Sequence, residues 1–560
     1  MFFVSGRNER RREFSHHSFF KLENKNELNM RLLRFLVFGI MSVILLPSNM
    51  AAEWQWSVKI PGIVSNETND HPQAFLWIPS DCIQVKGVMI GTHNMTEETL
   101  FENALFRERM SEIDLALIWI TPGWDQKWDI TAGSQKAFEQ MLDDFASVSG
   151  YNELKYAPIV PFGHSAMATY PWNFAAWNPD RTLAIISLHG DAPRTNLTGY
   201  GRDNMEWGKR TIDGIPGLMI EGEYEWWEDR VNPALAFRMM YPGSCVSFLC
   251  DTGRGHFDIA DRTAGLKKAL EYRMPATYDL NKPVELKKLN PQNGWLAERW
   301  HPNQKKRAKA APYKEYKGDS HDAFWYFDKE MAEMTEERYR RERGKKPQYL
   351  GFVQKGQLLT YNPKPHVKVA ARFLPEKDGL TFHLKAVYTD SLHTAISDEH
   401  SLTSPEITRI CGPVQKVNDT TFTVRFYRMG MYNKRRTGDI CLLAGNDGDK
   451  HYKSTVQELS FRIPYRNTEG KRQHILFPGL DDVKKGTETI SLHATSDCGL
   501  PVYYYVKEGP AEIEGNKLVF TRTPPRSKFP LKVTVVAWQY GFAGKVQTAE
   551  PVERSFFIYP

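Results

Sequence analysis

The chain of 560 residues is poor in cysteine, with six. None of Cys82, Cys245, Cys250, Cys411, Cys441 and Cys498 belongs to a pair of CxxC motifs, so no zinc framework is present, and no motif calls for another cofactor. There is no long basic stripe. The net charge is +6, with acidic and basic residues interspersed, which argues against a nucleic-acid partner. There is no tandem repeat. Long hydrophobic runs are scarce as well, and the one that stands out is FLVFGIMSVILLP, from Phe35 to Pro47. It follows Arg31 and Arg34, precedes SNMAAEW, and is short for a membrane span. It reads as a secretory signal peptide starting at Met30, with the residues before Met30 an over-extended start. An uncleaved anchor is the alternative. The expectation is a secreted or periplasmic protein with no stable membrane span once the signal is removed. Export permits disulfides, whose connectivity the spacing does not reveal.

What is present is a globular composition, 41% apolar and 25% charged, rich in Trp (15) and Tyr (24). The length implies several domains. Between Trp54 and about Met274, short apolar runs recur: EWQWSVKI, QAFLWIP, GVMIGTH, LALIWITP, APIVPFGHS, LAIISLHG, GLMIEG and CVSFLCDTG. Several are continuous, as strands buried on both faces require. Helical patterns lie between them. Thr96 is placed to cap a helix with Glu97 and Glu98 in its first turn and Leu100, Phe101 and Leu105 on its apolar face. Residues 134–148 put Ala137, Phe138, Met141, Leu142 and Phe145 on one side. Asn232-Pro233 starts another helix, and Arg262 to Met274 a last one.

This alternation predicts an α/β fold over residues 53–275, a sheet with helices on both faces. Residues 1–52 are the extension and signal. Residues 276–364 read as linker and helical extension, with one helix from His321 to Lys346 that Pro347 stops. Strand-like texture predicts a β-sandwich module over 365–480 and a further module over 481–560.

The stretch APIVPFGHSAMATY carries the chemistry. An apolar strand runs into Gly163-His164-Ser165-Ala166-Met167 and then a helix. A nucleophilic serine needs a tight, strained turn with small neighbours. Gly163 and Ala166 are small, while Met167 stands where the usual GxSxG pattern has glycine, and Pro171 falls early in the helix. Ser165 needs a base. Downstream, the GLMIEG strand runs into GEYEWWEDR, and CVSFLCDTGRGHFD places His256 just past the next strand. Serine, carboxylate and histidine therefore occur in that order at strand ends.

Residues 54–274 thus resemble the serine esterases of the α/β-hydrolase superfamily. The resemblance implies Ser165 as nucleophile and His256 as base then acid. Glu225, three residues after Gly222, would orient the imidazole, with Glu223, Asp229 and Asp191 as alternatives. It places the oxyanion hole at the N–H of Ala166 and one N–H of the loop GTHNMTEE, where His93, Asn94 and Met95 are candidates and Asn94 is preferred. Trp124, Trp226 and Trp227 are candidates to stack on a sugar ring, and Arg194 to pair with a uronic carboxylate. Asp125 and Trp128, like His189, lie on neighbouring strand-end loops.

GLPVYYYVKEGPAEIEGNKLVFT and VTVVAWQYG resemble the immunoglobulin-like modules appended to secreted bacterial polysaccharide-active enzymes. The architecture also resembles the α/β-hydrolase pectin methylesterases of gut Bacteroidetes. The resemblances imply a carbohydrate esterase that removes methyl or acyl esters from a polysaccharide or oligosaccharide such as pectin, without cofactor or metal. A peptidase of the same fold is the second reading, though no propeller-type repeat is visible. A non-catalytic glycan-binding protein on a hydrolase fold is the third.

Overall fold

The eight apolar runs become eight strands, and all but the first, an edge strand, have side chains to bury on two faces. They are β1 (Trp56–Lys59), β2 (Gln73–Trp77), β3 (Gly87–Thr92), β4 (Leu115–Thr121), β5 (Ile159–His164), β6 (Ile185–Leu188), β7 (Pro216–Gly222) and β8 (Cys245–Asp251). In this computed structural model the described residues are 53–560, apart from 125–127, 130–132, 196–205, 226–227, 258–262, 302–303, 429–430 and 432. The signal segment, Asp125, Trp226 and Trp227 therefore lie outside the described residues. The strands form one sheet in the order β1-β2-β4-β3-β5-β6-β7-β8. From β3 to β8 the neighbours are parallel, and β1 and β2 add antiparallel at one edge. Along β4, Leu115, Leu117 and Trp119 enter one core while Ala116, Ile118 and Ile120 enter the other. That alternation requires cover on both faces of the sheet.

Helices provide part of the cover: α1 (Glu97–Phe101), α2 (Ala104–Ser111), α3 (Ser134–Ser149), α4 (Tyr170–Trp177), α5 (Glu228–Met240) and α6 (Thr263–Arg273). α3 presses Phe138, Met141 and Leu142 onto one face. On the other, α2 contributes Phe106 and Met110, and α5 contributes Val231, Ala234 and Phe237. Three local expectations change. The Thr96 side chain makes no capping bond, and Leu105 is 54% exposed rather than on an apolar face. α5 starts at Glu228, upstream of Asn232, and takes Pro233 into its interior. Its acidic first turn, Glu228 and Asp229, suits a helix N-terminus.

Residues 276–364 are not a loose connection. β9 (Trp295–Glu298), β10 (Ala311–Pro312) and β11 (Ala323–Tyr326) form a small antiparallel sheet, followed by α7 (Lys329–Glu342). Phe324, Trp325 and Tyr326 are buried in the core of the large sheet, so this aromatic run is a strand rather than the start of a helix at His321. Asp328 begins the helix by accepting the Met331 N–H at 3.0 Å. The Ser247 hydroxyl donates to the Trp325 carbonyl at 2.6 Å, and the Tyr326 hydroxyl to the Phe248 carbonyl at 2.7 Å.

The remainder is β-structure. A four-stranded sheet (Val369–Ala370, Thr455–Arg462, Asp439–Asn446, Glu406–Cys411) and a three-stranded one (Thr381–His383, Thr421–Val424, Val414–Lys416) share a core that includes Phe382, Phe422, Leu442 and Leu459. Leu350 and Phe352 belong to the same core, so this packing begins before residue 365. The last segment pairs Leu531–Trp538 with Val552–Tyr559 on one side and with Tyr503–Glu508 on the other. Its Leu531, Val533, Val535, Phe556 and Ile558 continue the apolar cluster that holds α3 against the sheet. Among the described residues no helix is long and apolar enough to cross a membrane.

Candidate active site

β5 ends at His164, and the chain turns at Ser165 with φ +54°, a left-handed conformation that a non-glycine residue holds only when its surroundings impose it. A short 3-10 turn, Ser165–Met167, leads into α4, with Pro171 in its first turn. The turn is tight: a Cβ at Gly163 would lie 2.0 Å from the Met167 carbonyl oxygen, and one at Gly190 would lie 2.0 Å from Cβ of Ala168. The small residues this elbow needs are thus 163, 168 and 190. Met167 is buried, and its Cε lies against Gly123 of the loop after β4. That accounts for the missing second glycine of the pentapeptide.

The loops after β7 and β8 bring Glu225 and His256 together. Glu225 closes a 3-10 turn, Glu223–Glu225, and its Oε2 is hydrogen-bonded to Nδ1 of His256. The other candidate acids are elsewhere. Glu223 accepts the Gly253 N–H and pairs with Lys453, both at 2.7 Å. Asp229 is exposed on α5, and Asp191 is buried 3.9 Å from the Arg230 guanidinium. Burial pushes the Glu225 carboxyl up, but bonds from His256 and His366 and the charges around it outweigh this and hold it well below the usual range. An ionised carboxylate only accepts, so Nδ1 of His256 is the donor and Nε2 keeps a lone pair. Burial lowers the His256 pKa from its ordinary 6.5, against the opposing pull of Glu225. The Ser165 hydroxyl and the His256 ring are not hydrogen-bonded to each other here; such bonds commonly tighten when substrate binds.

Sequence reasoning missed three further groups. His164, wholly buried, bonds through Nε2 to the His256 carbonyl at 2.8 Å and supports the histidine loop from below. His366 comes from the β-structure; its Nδ1 is bonded to the second oxygen of Glu225, and its ring stacks on His256 with centroids 4.6 Å apart. Glu97, also wholly buried, accepts N–H bonds from Asn94 (3.2 Å), Met95 (2.9 Å) and His164 (3.1 Å). Burial pushes its pKa up to about 7 against these bonds. Only Glu97 left a signal: an acid three residues after Asn94 at a helix start is the spacing of a side chain that reaches back to the backbone.

Glu97 also corrects the assignment of Asn94 to the oxyanion hole. The Asn94 and Met95 N–H groups end on Glu97, the His93 N–H donates to the Ile120 carbonyl at 2.8 Å, and the Asn94 side chain donates to the His164 carbonyl at 2.9 Å. Ala166 lies in the elbow turn directly after Ser165. Arg194 is likewise engaged away from the elbow: it donates to the Tyr241 hydroxyl at 2.6 Å and lies over the Tyr241 and Trp207 rings. Trp124 is half-buried beside the elbow, its backbone N–H donating to the Thr92 hydroxyl at 3.3 Å, while Trp128 is core.

A cavity of about 200 Å³ opens on the acid side of His256, walled by Glu225, His256, His366, Tyr349, Tyr361 and Lys368. His189, Glu225 and His256 offer ligand atoms within 4.8 Å of one another, as a metal ion would need. Nδ1 of His189 accepts the Gly222 N–H at 3.3 Å, and His256 uses Nδ1 on Glu225, so both atoms are occupied by hydrogen bonds. Glu298, His301 and Asp322 form a second such group, already neutralised by Arg299 and Arg307.

The mixed sheet, the left-handed serine after β5 and the acid and histidine after β7 and β8 have the arrangement of the α/β-hydrolase fold. No family model matches the chain, and no curated protein matches it. Solved structures do resemble it in part. S-formylglutathione hydrolase from Staphylococcus aureus is 13% identical, with TM-score 0.26, over 39% of this chain and 95% of its own. An acetyl xylan esterase from Aspergillus awamori is 12% identical, with TM-score 0.26, over 36% and 94%. A phospholipase/carboxylesterase from Dyadobacter fermentans is 15% identical, with TM-score 0.24, over 34% and 92%. Likeness of this size says nothing of substrate.

Proposed function

We propose that the chain is a serine-dependent carboxylic-ester hydrolase. The observation that carries this is Ser165 at φ +54° on the β5–α4 elbow, with a bonded Glu225–His256 pair on the loops after β7 and β8. Nε2 of His256 takes the proton of the Ser165 hydroxyl as the oxygen attacks the ester carbonyl. Glu225 fixes the tautomer and offsets the charge of the imidazolium. The Ala166 N–H, one residue past the nucleophile, is the donor assigned to the developing oxyanion in this reading. Collapse releases the alcohol, protonated by His256, and leaves an acyl-serine. Water, deprotonated by the same ring, then adds to the acyl carbon and frees the acid and Ser165.

The finer reading is export and action on esterified polysaccharide of the pectin type. It is supported by the signal-like run at Phe35–Pro47 and by the half-buried Trp124 on the loop after β4, a ring of the kind that stacks on sugars. For a methyl ester the uronyl group would be the acyl part and methanol the product; for an acetyl ester the sugar would leave first. Incubation with methylated and with acetylated pectin, measuring methanol and acetate separately, tests this. Methanol alone favours methylesterase action, and acetate alone removes it. In Ser165→Ala, turnover is expected to fall by roughly 10⁴–10⁶-fold. Turnover that survives this change refutes the nucleophile.

A further inference from the structure

The β-structure from residue 349 onward touches the acid–base pair through His366, a side chain that the mechanism above does not need. Glu225 is largely buried and has two oxygens, of which His256 occupies one. A buried carboxylate oxygen left without a donor is costly, and the carboxylate would rotate to find one. Nδ1 of His366 supplies that donor on Oε1. The His366 ring also lies nearly parallel to the His256 ring, with 21° between their planes. One residue thus limits both rotation of the acid and tilt of the base. Glu225 and His366 are 141 positions apart in sequence.

The loop that presents His366 is held independently of this contact. It closes where Tyr361 bridges Val369 and the Asn362 N–H donates to the Lys368 carbonyl at 2.8 Å. Lys368 Nζ reaches back to the Pro363 carbonyl at 3.0 Å, and Pro363 and Pro365 stiffen the turn. Val367 packs against the cluster containing Phe257, the residue after His256. His366 itself is 37% exposed, at the cavity wall. Its removal therefore takes away a donor and a stacking face without undercutting the loop.

We infer that His366 is a positioning residue for the Glu225–His256 pair, so that the β-structure completes the catalytic unit rather than being appended to it. The inference rests on the serine-hydrolase reading. Three variants of the full-length chain separate its parts: His366→Ala removes both contacts, His366→Asn keeps a donor near the Nδ1 position, and His366→Phe keeps the stacking ring. The measurements are kcat and KM on a small activated acetate ester, the rate of labelling by a fluorophosphonate, and melting temperature, with rates normalised to titrated active sites.

His366→Ala is expected to lower kcat and the labelling rate on the order of tenfold or more, the scale seen when a supporting partner is lost, with KM near the native value. His366→Asn should recover most of the loss and His366→Phe little of it. Combined with Glu225→Gln, His366→Ala should cost much less than it does alone, because the two act as a unit. A His366→Ala variant that labels and turns over at the native rate overturns the inference while the hydrolase reading stands. Equal recovery by Phe and Asn, or a fall confined to melting temperature, overturns it in favour of packing. Native protein that is neither labelled nor active on any ester removes the hydrolase reading and this inference with it. Should His366→Ala fail to fold, the Asn–Phe contrast decides.

Discussion

The two sides of the elbow are built in different ways. On the acid–base side, Glu225 and His256 meet as side chains from separate loops, and both carboxylate oxygens are bonded. On the other side, the loop after β3 directs its backbone N–H groups onto a carboxylate of its own, Glu97. The first arrangement leaves a ring nitrogen with a lone pair to use. The second leaves His93, Asn94 and Met95 without a free N–H. Proton-moving groups can be arranged by side chains of the right type at the right strand ends. An oxyanion site depends on where each backbone N–H already points.

The sharpest way to break this contrast is Glu225→Gln. It keeps the shape of the acid, removes its charge and admits the wrong histidine tautomer, so turnover should drop by roughly 10³–10⁴-fold. Its melting temperature should stay close to native. Activity near the native level would instead move the orienting role to another carboxylate. Next comes the hinge between the two sides. Met167→Gly would restore the familiar GxSxG pattern, yet Met167 is buried, so chemical denaturation should show a loss of about 2–5 kcal/mol, as when a buried methionine is cut back. A gain in stability would mean that the elbow tolerates glycine there and that Met167 adds nothing.

Two buried titrating groups, His256 and Glu97, should also respond differently to pH. Burial holds the His256 pKa below 6.5, so kcat/KM should keep its plateau below that pH and fall only on further acidification. A limb at pH 7 or above would contradict the burial of the ring. The smallest effect belongs to Glu97. Its pKa is raised from 4.5 to about 7, so the folded state binds its proton more tightly than the unfolded chain does. That stabilising contribution is complete below pH 4.5 and is lost as pH rises through 7. Glu97→Gln should flatten the slope of stability between these values, and an unchanged slope would place the titration on another group.

Much of the sheet was legible because β3 to β8 are short continuous apolar runs bounded by polar loops, and Gly163 with Ser165 marks the elbow in the sequence itself. Serine, acid and histidine were legible as an order, since strand ends can be located without knowing the contacts. Three things were not. The aromatic run Phe324–Trp325–Tyr326 reads equally well as helix or strand until its pairing with β9 is known. His366 has no local pattern, because its partner is 141 positions away. The engagement of the Asn94 N–H depends on the direction of a backbone group, which residue type does not encode.

The closing segment of the chain has a consequence for any attempt at dissection. Its Gly509 N–H donates to the Trp54 carbonyl at 2.8 Å, its Lys528 N–H to the Ser149 carbonyl at 2.9 Å, and Arg526 pairs with Glu153 at 2.8 Å. With Leu531, Val533 and Ile558 it continues the apolar packing around α3. A fragment trimmed to residues 53–275 would present that apolar face to water and is expected to be less stable to denaturant than the full chain. The last strands therefore belong to the same packed unit as the large sheet.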